Sequence, residues 1–145
     1  MAKTYNLYRN GTKIKDSITT TNYTDDTVQP DTEYNYQVSS VDEEGESSLT
    51  PAISVTTLPI AVTGISLNPI SGSVIVGSTL QINASITPAN ATDQSVKYNS
   101  SDTTIATVDS TGKVTGIKEG ICNITATSNA DSSKSATFAL TVTTV

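Results

Sequence analysis

The chain has 145 residues and a formal net charge of −6, with 14 Asp and Glu against 8 Lys and Arg. This charge balance argues against binding to nucleic acid and against electrostatic docking on an anionic membrane, because both need clustered Lys and Arg. The chain has no histidine and one cysteine, which excludes imidazole-based catalysis, zinc sites of the His or Cys type and an internal disulfide. No stretch approaches the ~18 apolar residues of a membrane-spanning helix.

The residue distribution predicts an all-β chain in two parts. Val, Ile and Thr are abundant, and these residues suit a half-buried pleated surface. Five of the six tyrosines precede the segment Thr57-Leu58-Pro59-Ile60, and only Tyr98 follows it. We therefore expect a first module at residues 1–57, a short linker at 58–61 and a second domain at 62–145.

The first module contains three informative stretches, which are TYNLYRNGTKI at 4–14, VQPDTEYNYQVSSVDEEGESS at 28–48 and ISVTT at 53–57. Together they resemble part of a fibronectin type III domain. The first is similar to its third strand and following turn, the second to its E–F corner, sixth strand and last hairpin loop, and the third to its final strand. The resemblance implies a tyrosine corner at Tyr34, whose hydroxyl would return to the backbone just upstream.

A full domain of this type has two further strands at its start, so the resemblance implies an incomplete sandwich. Such a module exposes an unpaired edge and an apolar face, for which Tyr5, Leu7, Tyr36 and Val38 are the candidates. Three interpretations stay open. Another chain completes the module by oligomerisation or docking, the sequence is a piece of a larger protein, or the module is a self-sufficient reduced sandwich.

Three features of the first module were considered as ligand sites. The acidic run DEEGE at 42–46 and the pair Asp25-Asp26 carry oxygen ligands of the kind that Ca²⁺ prefers. Consecutive carboxylates in a hairpin loop cannot all converge on one ion, however, so we predict a solvated loop and a turn, with no metal site and no cofactor. Tyr8 and Tyr23 are candidates for carbohydrate contact, because aromatic rings stack on sugars.

The second domain shows period-two alternation of apolar residues interrupted by turn residues, which is typical of a β-sandwich. The predicted strands are residues 62–67, 73–76, 80–86, 96–100, 105–108, 113–117, 121–127 and 136–142.

The segment IATVDSTGKVTGIKEGICNITAT at 105–127 combines a Gly-Lys pair, carboxylates and the only cysteine. We predict a hairpin turn in which Gly112 supplies a positive φ and Asp109 binds the turn backbone. A phosphate-binding loop would need further glycines and a following helix, whereas Lys113 begins another strand. Cys122 lies on an apolar face and is expected to be buried. The segment is therefore predicted to be scaffold.

Residues 61–145 resemble the bacterial immunoglobulin-like domain of group 2, which implies an immunoglobulin-like β-sandwich. The matching elements are the Val76-Gly77 turn, PANA at 88–91, SSD at 100–102, ATVD at 106–109 and GKVT at 112–115. Tyr98 stands where the family commonly has Trp, and Cys122 where a small residue is usual.

Both families imply display and adhesion modules, so we expect no enzyme and no catalytic residues. The sequence starts with Met and shows no export signal, which favours a phage virion accessory protein on the head or tail. In this interpretation the first module binds a capsid or tail protein, or other copies of the chain. The immunoglobulin-like domain would then make weak multivalent contacts with polysaccharide on the host cell surface. The alternative is a spacer or adhesion fragment of an extracellular bacterial surface or cell-wall protein.

Overall fold

Strands, most of them antiparallel, and turns make up the regular structure of residues 3–145. A computed structural model describes residues 3–145, and these divide into two compact units, residues 3–59 (unit 1) and 60–145 (unit 2). The fold is all-β, as the composition predicted. No helix in residues 3–145 is long and apolar enough to cross a membrane.

Unit 1 is built on a single sheet. Its strands are β1 (Thr4–Arg9), β2 (Thr12–Ile18), β3 (Glu33–Asp42), β4 (Gly45–Glu46) and β5 (Ile53–Thr56).

The sheet order is β2-β1-β3, and both β4 and β5 pair with β3. Asn10 and Gly11 have φ of 51° and 78°, the pair of positive values that closes a two-residue hairpin between β1 and β2. Within the described part of this unit, Tyr34 is the only buried apolar side chain, so the unit lacks a conventional hydrophobic core.

Unit 2 is an immunoglobulin-like sandwich with its own core. Its strands are β6 (Gly64–Asn68), β7 (Ser71–Ile75), β8 (Thr79–Gln81), β9 (Asn83–Thr87), β10 (Val96–Ser100), β11 (Ala106–Val108), β12 (Lys113–Gly116), β13 (Gly120–Ser128) and β14 (Ser135–Thr143).

These strands form the sheets β10-β13-β14-β7, β11-β12-β8 and β6-β9, and β7 pairs with β14 in parallel. Burial alternates along β14, where Phe138, Leu140 and Val142 are inside. They pack with Ile124 of β13 and Val114 of β12 in a core that excludes water.

The sequence predicted one strand over residues 80–86, and the structure corrects this. The chain leaves one sheet at Gln81, where β8 pairs with β12, and enters another at Asn83, where β9 pairs with β6. Ile82 lies at the switch with its side chain fully buried, and its N–H donates to the carbonyl of Gly112 at 3.0 Å. Apolar alternation continues through this point, so the pattern alone does not reveal the change of sheet.

The hairpin at 109–112 and the burial of the cysteine are confirmed. Gly112 has φ of 82°, and Asp109 Oδ1 accepts the backbone N–H groups of Thr111 and Lys113 at 2.8 and 3.1 Å. Cys122 is 5% exposed, and desolvation raises the pKa of its thiol. The stretch is structural, since its polar groups serve the turn and its thiol lies in the core.

Candidate binding surface

One face of the unit 1 sheet has no second sheet packed on it within residues 3–59. Alternation along β1 and β3 places Tyr5, Leu7, Tyr36 and Val38 on this face, and all four are only partly buried. They are the four residues that the sequence named as candidates. Val55 of β5 extends the surface and is 48% exposed. We call this surface the open face.

Residues 19–32 have no regular secondary structure and form one wall over the open face; we call this segment the strap. A groove of about 740 Å³ lies between the strap and the sheet. This volume is within the range of small-ligand sites in proteins. The groove is lined by Tyr5, Leu7, Ile18, Thr20, Thr21, Asn22, Tyr23, Thr24, Asp25, Val28, Tyr36, Val38, Val55 and Thr57.

Asp25 fixes the first half of the strap to the sheet. Arg9 Nη1 donates to Asp25 Oδ2 at 2.8 Å, and the Tyr36 hydroxyl donates to the same oxygen at 2.8 Å. Thr27 donates to Asp25 Oδ1 through its hydroxyl at 2.7 Å and its N–H at 3.1 Å. The pKa of Asp25 is lowered to about 2, because the carboxylate is stabilised by the hydroxyl of Thr27 first, then by the hydroxyl of Tyr36 and the charge of Arg9. The ion pair therefore persists well into the acidic range.

Tyr34 holds the second half of the strap. Its hydroxyl accepts the N–H of Gln29 at 2.9 Å, which is the upstream backbone contact predicted for a tyrosine corner. The Arg9 guanidinium lies 5.0 Å from the centre of the Tyr34 ring. Two hydrogen bonds join Thr32 and Thr57: the N–H of Thr57 donates to Thr32 O at 3.0 Å, and the N–H of Thr32 donates to Thr57 Oγ1 at 3.0 Å. Both ends of the wall are thus anchored.

The opposite face of the sheet is polar. Glu46 Oε1 accepts bonds from Asn6 Nδ2 at 2.8 Å, from the Tyr8 hydroxyl at 2.6 Å and from the Ser39 hydroxyl. Lys13 Nζ lies 3.3 Å from Glu46 Oε2. The Ser39 hydrogen bond, followed by those of Tyr8 and Asn6, lowers the pKa of Glu46 to about 2. This face is internally satisfied and offers little to a ligand.

Three of the acidic residues considered as metal ligands accept hydrogen bonds within unit 1. Glu46 belongs to the polar face, Asp25 binds Arg9, and Asp42 Oδ1 accepts the N–H of Glu44 at 3.0 Å within the hairpin. No group of three His, Cys, Asp or Glu residues within 3–145 is placed to hold a metal ion. The arrangement favours structural roles for these carboxylates.

The two tyrosines considered for carbohydrate contact lie in different surroundings. The Tyr8 hydroxyl is bound to Glu46, and the Lys13 ammonium lies 5.5 Å from the centre of its ring. Tyr23 lies on the strap, lines the groove and is 46% exposed. Of the two, Tyr23 is therefore the one that belongs to the candidate surface.

Sequence reasoning predicted the contact of Tyr34 with the upstream backbone but missed the strap as a groove wall and its anchor at Asp25. The Asp25-x-Thr27 spacing is a local sign of a side-chain-capped turn, and it could have suggested ordered backbone at this point. Nothing local pairs Asp25 with Arg9, which lies 16 residues earlier.

The comparisons with known proteins concern mainly unit 2. Residues 61–138 match the model of the bacterial Ig-like domain, group 2. The chain is 40% identical over 82 residues to an Ig-like virion protein of Serratia phage KSP90, which covers 56% of this chain and 30% of that protein. It is 45% identical over 89 residues to a 3-O-alpha-D-galactosyl-alpha-L-arabinofuranosidase of Bifidobacterium longum subsp. longum, which covers 61% of this chain and 8% of the enzyme.

Among solved structures, domains 1–6 of the surface layer protein SbsC align with 97% of this chain and 20% of that chain, with a TM-score of 0.54 and 16% identity. At this identity the likeness concerns the fold alone. The chain spans less than a third of the length of either sequence relative.

Proposed function

The chain belongs to the family of bacterial Ig-like domains of group 2, matched over residues 61–138, and on this basis we propose that it is a non-catalytic presentation protein. Unit 1 binds a carrier through its open face. Unit 2 makes weak, many-copy contacts with polymers of a host cell surface.

The observation that carries the proposal is the contrast between the two units. Unit 2 buries Phe138, Ile124 and Leu140 completely, so this sandwich has a complete hydrophobic core of its own. Unit 1 leaves Leu7 and Val38 partly exposed on one face of the sheet that its described residues form. Covering the exposed part of a partly buried aliphatic or aromatic side chain contributes at most about 1 kcal/mol, so covering the five residues of the open face contributes at most about 5 kcal/mol before the costs of association. A surface of this kind fits attachment to a partner.

The virion is the carrier that we favour. The support is the Ig-like virion protein of Serratia phage KSP90, which shares an 82-residue segment with this chain. Weak single contacts suit a particle that carries many copies, because linked sites raise overall avidity by about 10²–10⁴ over either site alone. In this setting unit 2 needs no deep pocket and no catalytic group.

A bacterial cell surface is the second candidate for the carrier. The shared segment in the arabinofuranosidase of Bifidobacterium longum indicates that such modules also accompany carbohydrate-active proteins. In this case the chain would be a spacer or adhesion segment of an extracellular protein.

Location is tested by mass spectrometry of gradient-purified virions and of cell-surface extracts from the encoding source. We expect peptides of both units at a fixed ratio to the major capsid or tail protein. Recovery from the surface extract alone supports the second carrier, and recovery from neither fraction contradicts the proposal.

Host contact is tested with the full chain, biotinylated at one site and offered to intact host cells as a monomer or as a streptavidin tetramer. The tetramer should be retained about 100-fold more strongly than the monomer. Equal, negligible retention of both forms would leave unit 2 without a receptor role.

A further inference from the structure

The geometry of unit 1 points to one occupant for the groove. We propose that it is an extended β-segment of a different protein, with apolar side chains at alternate positions and Lys or Arg at its flanks. This inference rests on the proposed carrier-binding role of unit 1 and specifies the chemistry of the carrier.

The floor of the groove has the spacing of a β-sheet. Leu7 on β1 is the register partner of Val38 on β3, and Tyr5 and Tyr36 lie two residues away along their strands. Side chains on this floor therefore repeat every ~6.6–7 Å along two strands that are ~4.8 Å apart. An extended segment presents its own alternate side chains at the same repeat and packs at the ~10 Å distance of stacked sheets.

The chemistry of the floor favours protein over sugar. Leu7, Val38 and Val55 have no hydrogen-bonding group, and Val28 on the strap adds a fourth aliphatic side chain. Among the described residues that line the groove, Asp25 is the only charged one, and it is already bound by Arg9. The polar side chains of the lining lie mainly on the strap, so the hydroxyls of a sugar lying on the floor would find few partners there, whereas an apolar strand surface needs none.

Charge distinguishes the partner from a second copy of this chain. Residues 1–57 contain nine Asp and Glu against four Lys and Arg, which gives 4 − 9 = −5. The ion pairs of Arg9 with Asp25 and of Lys13 with Glu46 are each neutral, so they leave this net charge unchanged. Two copies brought face to face would repel each other, while a segment with basic flanks would be attracted.

The test uses the full 145-residue chain and two fluorescein-labelled 12-residue peptides. Both peptides have the same alternating Val-Thr centre, and they end in Lys-Lys or in Glu-Glu. In anisotropy titrations at 50 mM NaCl, the Lys-flanked peptide should bind with an affinity at least about tenfold higher than that of the Glu-flanked peptide. At 500 mM NaCl, where the charges are screened, the two affinities should be nearly equal.

The groove itself is tested with the double variant Val38→Thr/Val55→Thr, which keeps side-chain volume and strand propensity. This variant should bind the Lys-flanked peptide with an affinity at least about fivefold lower than that of the unmodified chain. The matched control is Asn35→Thr, on the opposite face of β3, which should leave the affinity for the Lys-flanked peptide unchanged. Amide NMR shifts of β1 and β3 on titration of the unmodified chain give a second readout that needs no substitution.

Equal affinity of the two peptides at low salt would overturn the charge-selected partner, while the virion and host-cell assays would still decide the proposed function. Unchanged binding by the double variant, or no binding of either peptide, would overturn the groove as a strand acceptor. A dimer of the peptide-free chain in sedimentation velocity that the double variant abolishes would identify a second copy as the occupant and refute the proposal.

Discussion

Replacing Gly112 with alanine probes the close approach that joins the β11–β12 hairpin to the sheet switch. A Cβ at this position would lie 2.4 Å from the carbonyl oxygen of Ile82 and 2.9 Å from Cζ of Tyr98, and the backbone has φ of +82°. Gly77 is a matched control, because its φ is +83° and a Cβ there would meet nothing within 4 Å. The two substitutions therefore share the backbone strain and differ in the contact.

The strain of a left-handed non-glycine residue costs about 1 kcal/mol, which is our expectation for Gly77→Ala. At Gly112 the clash adds about 2 kcal/mol of overpacking, because the backbone of Ile82 cannot rotate away as a side chain would. Displacing the hairpin also weakens the bond from Ile82 N–H to Gly112 O, now 3.0 Å, for roughly 1 kcal/mol more. We expect a total of about 4 kcal/mol for Gly112→Ala.

The assay is urea unfolding of the full chain, followed by methyl NMR signals of Ile82 and Ile124 so that unit 2 is observed separately from unit 1. The free energy of unfolding should fall about 3 kcal/mol further for Gly112→Ala than for Gly77→Ala. If the two variants lose the same free energy of unfolding within about 0.5 kcal/mol, the steric argument is refuted. Backbone strain alone would then explain both losses.

Three further substitutions address unit 1. Asp25→Asn removes the ion pair with Arg9 and should destabilise the strap by about 2 kcal/mol, seen as faster proteolysis within residues 19–32; an unchanged cleavage rate would contradict the anchor. Tyr34→Phe leaves the Gln29 N–H without its acceptor and should cost about 1 kcal/mol in thermal unfolding, with faster hydrogen exchange of that amide as the specific sign. Because the folded-state pKa values of Asp25 and Glu46 lie near 2, below their ordinary 3.8 and 4.5, their stabilisation is complete above pH 4.5 and lost as pH falls towards 2. Melting temperatures from pH 6 to pH 2 should show this loss, and Glu46→Gln should make the profile shallower.

Much of the fold was predictable because burial in a sandwich follows local alternation. Along β14 the inside positions Phe138, Leu140 and Val142 are two residues apart, which is the pattern in the sequence. The break at Ile82 was not predictable, since inside positions stay in phase while the hydrogen-bond partner changes from β12 to β6. Pairing partners are set by distant strands, and a single sequence does not contain that information.

The candidate surface was predictable in part for the same reason. Alternation in β1 and β3 identified Tyr5, Leu7, Tyr36 and Val38, and the resemblance to a domain with missing strands indicated that this face lacks its usual cover. The strap was not predictable, because residues 19–32 have no periodic pattern and are held by long-range bonds to Arg9 and Tyr36. These bonds, together with those from Tyr34 to Gln29 and between Thr32 and Thr57, hold the wall of the groove in place.

The parallel pairing of β7 with β14 has a mechanical consequence. Their ladder joins Ser71–Ile75 to 139–143 through five register pairs. A pull applied between the two ends of unit 2 draws these strands in opposite directions along their length, so the whole ladder resists at once by shear. A hairpin pulled from its open end would break bond by bond. Unit 2 is thus suited to bear tension between its two ends, which the proposed contact with a host cell surface would place on it.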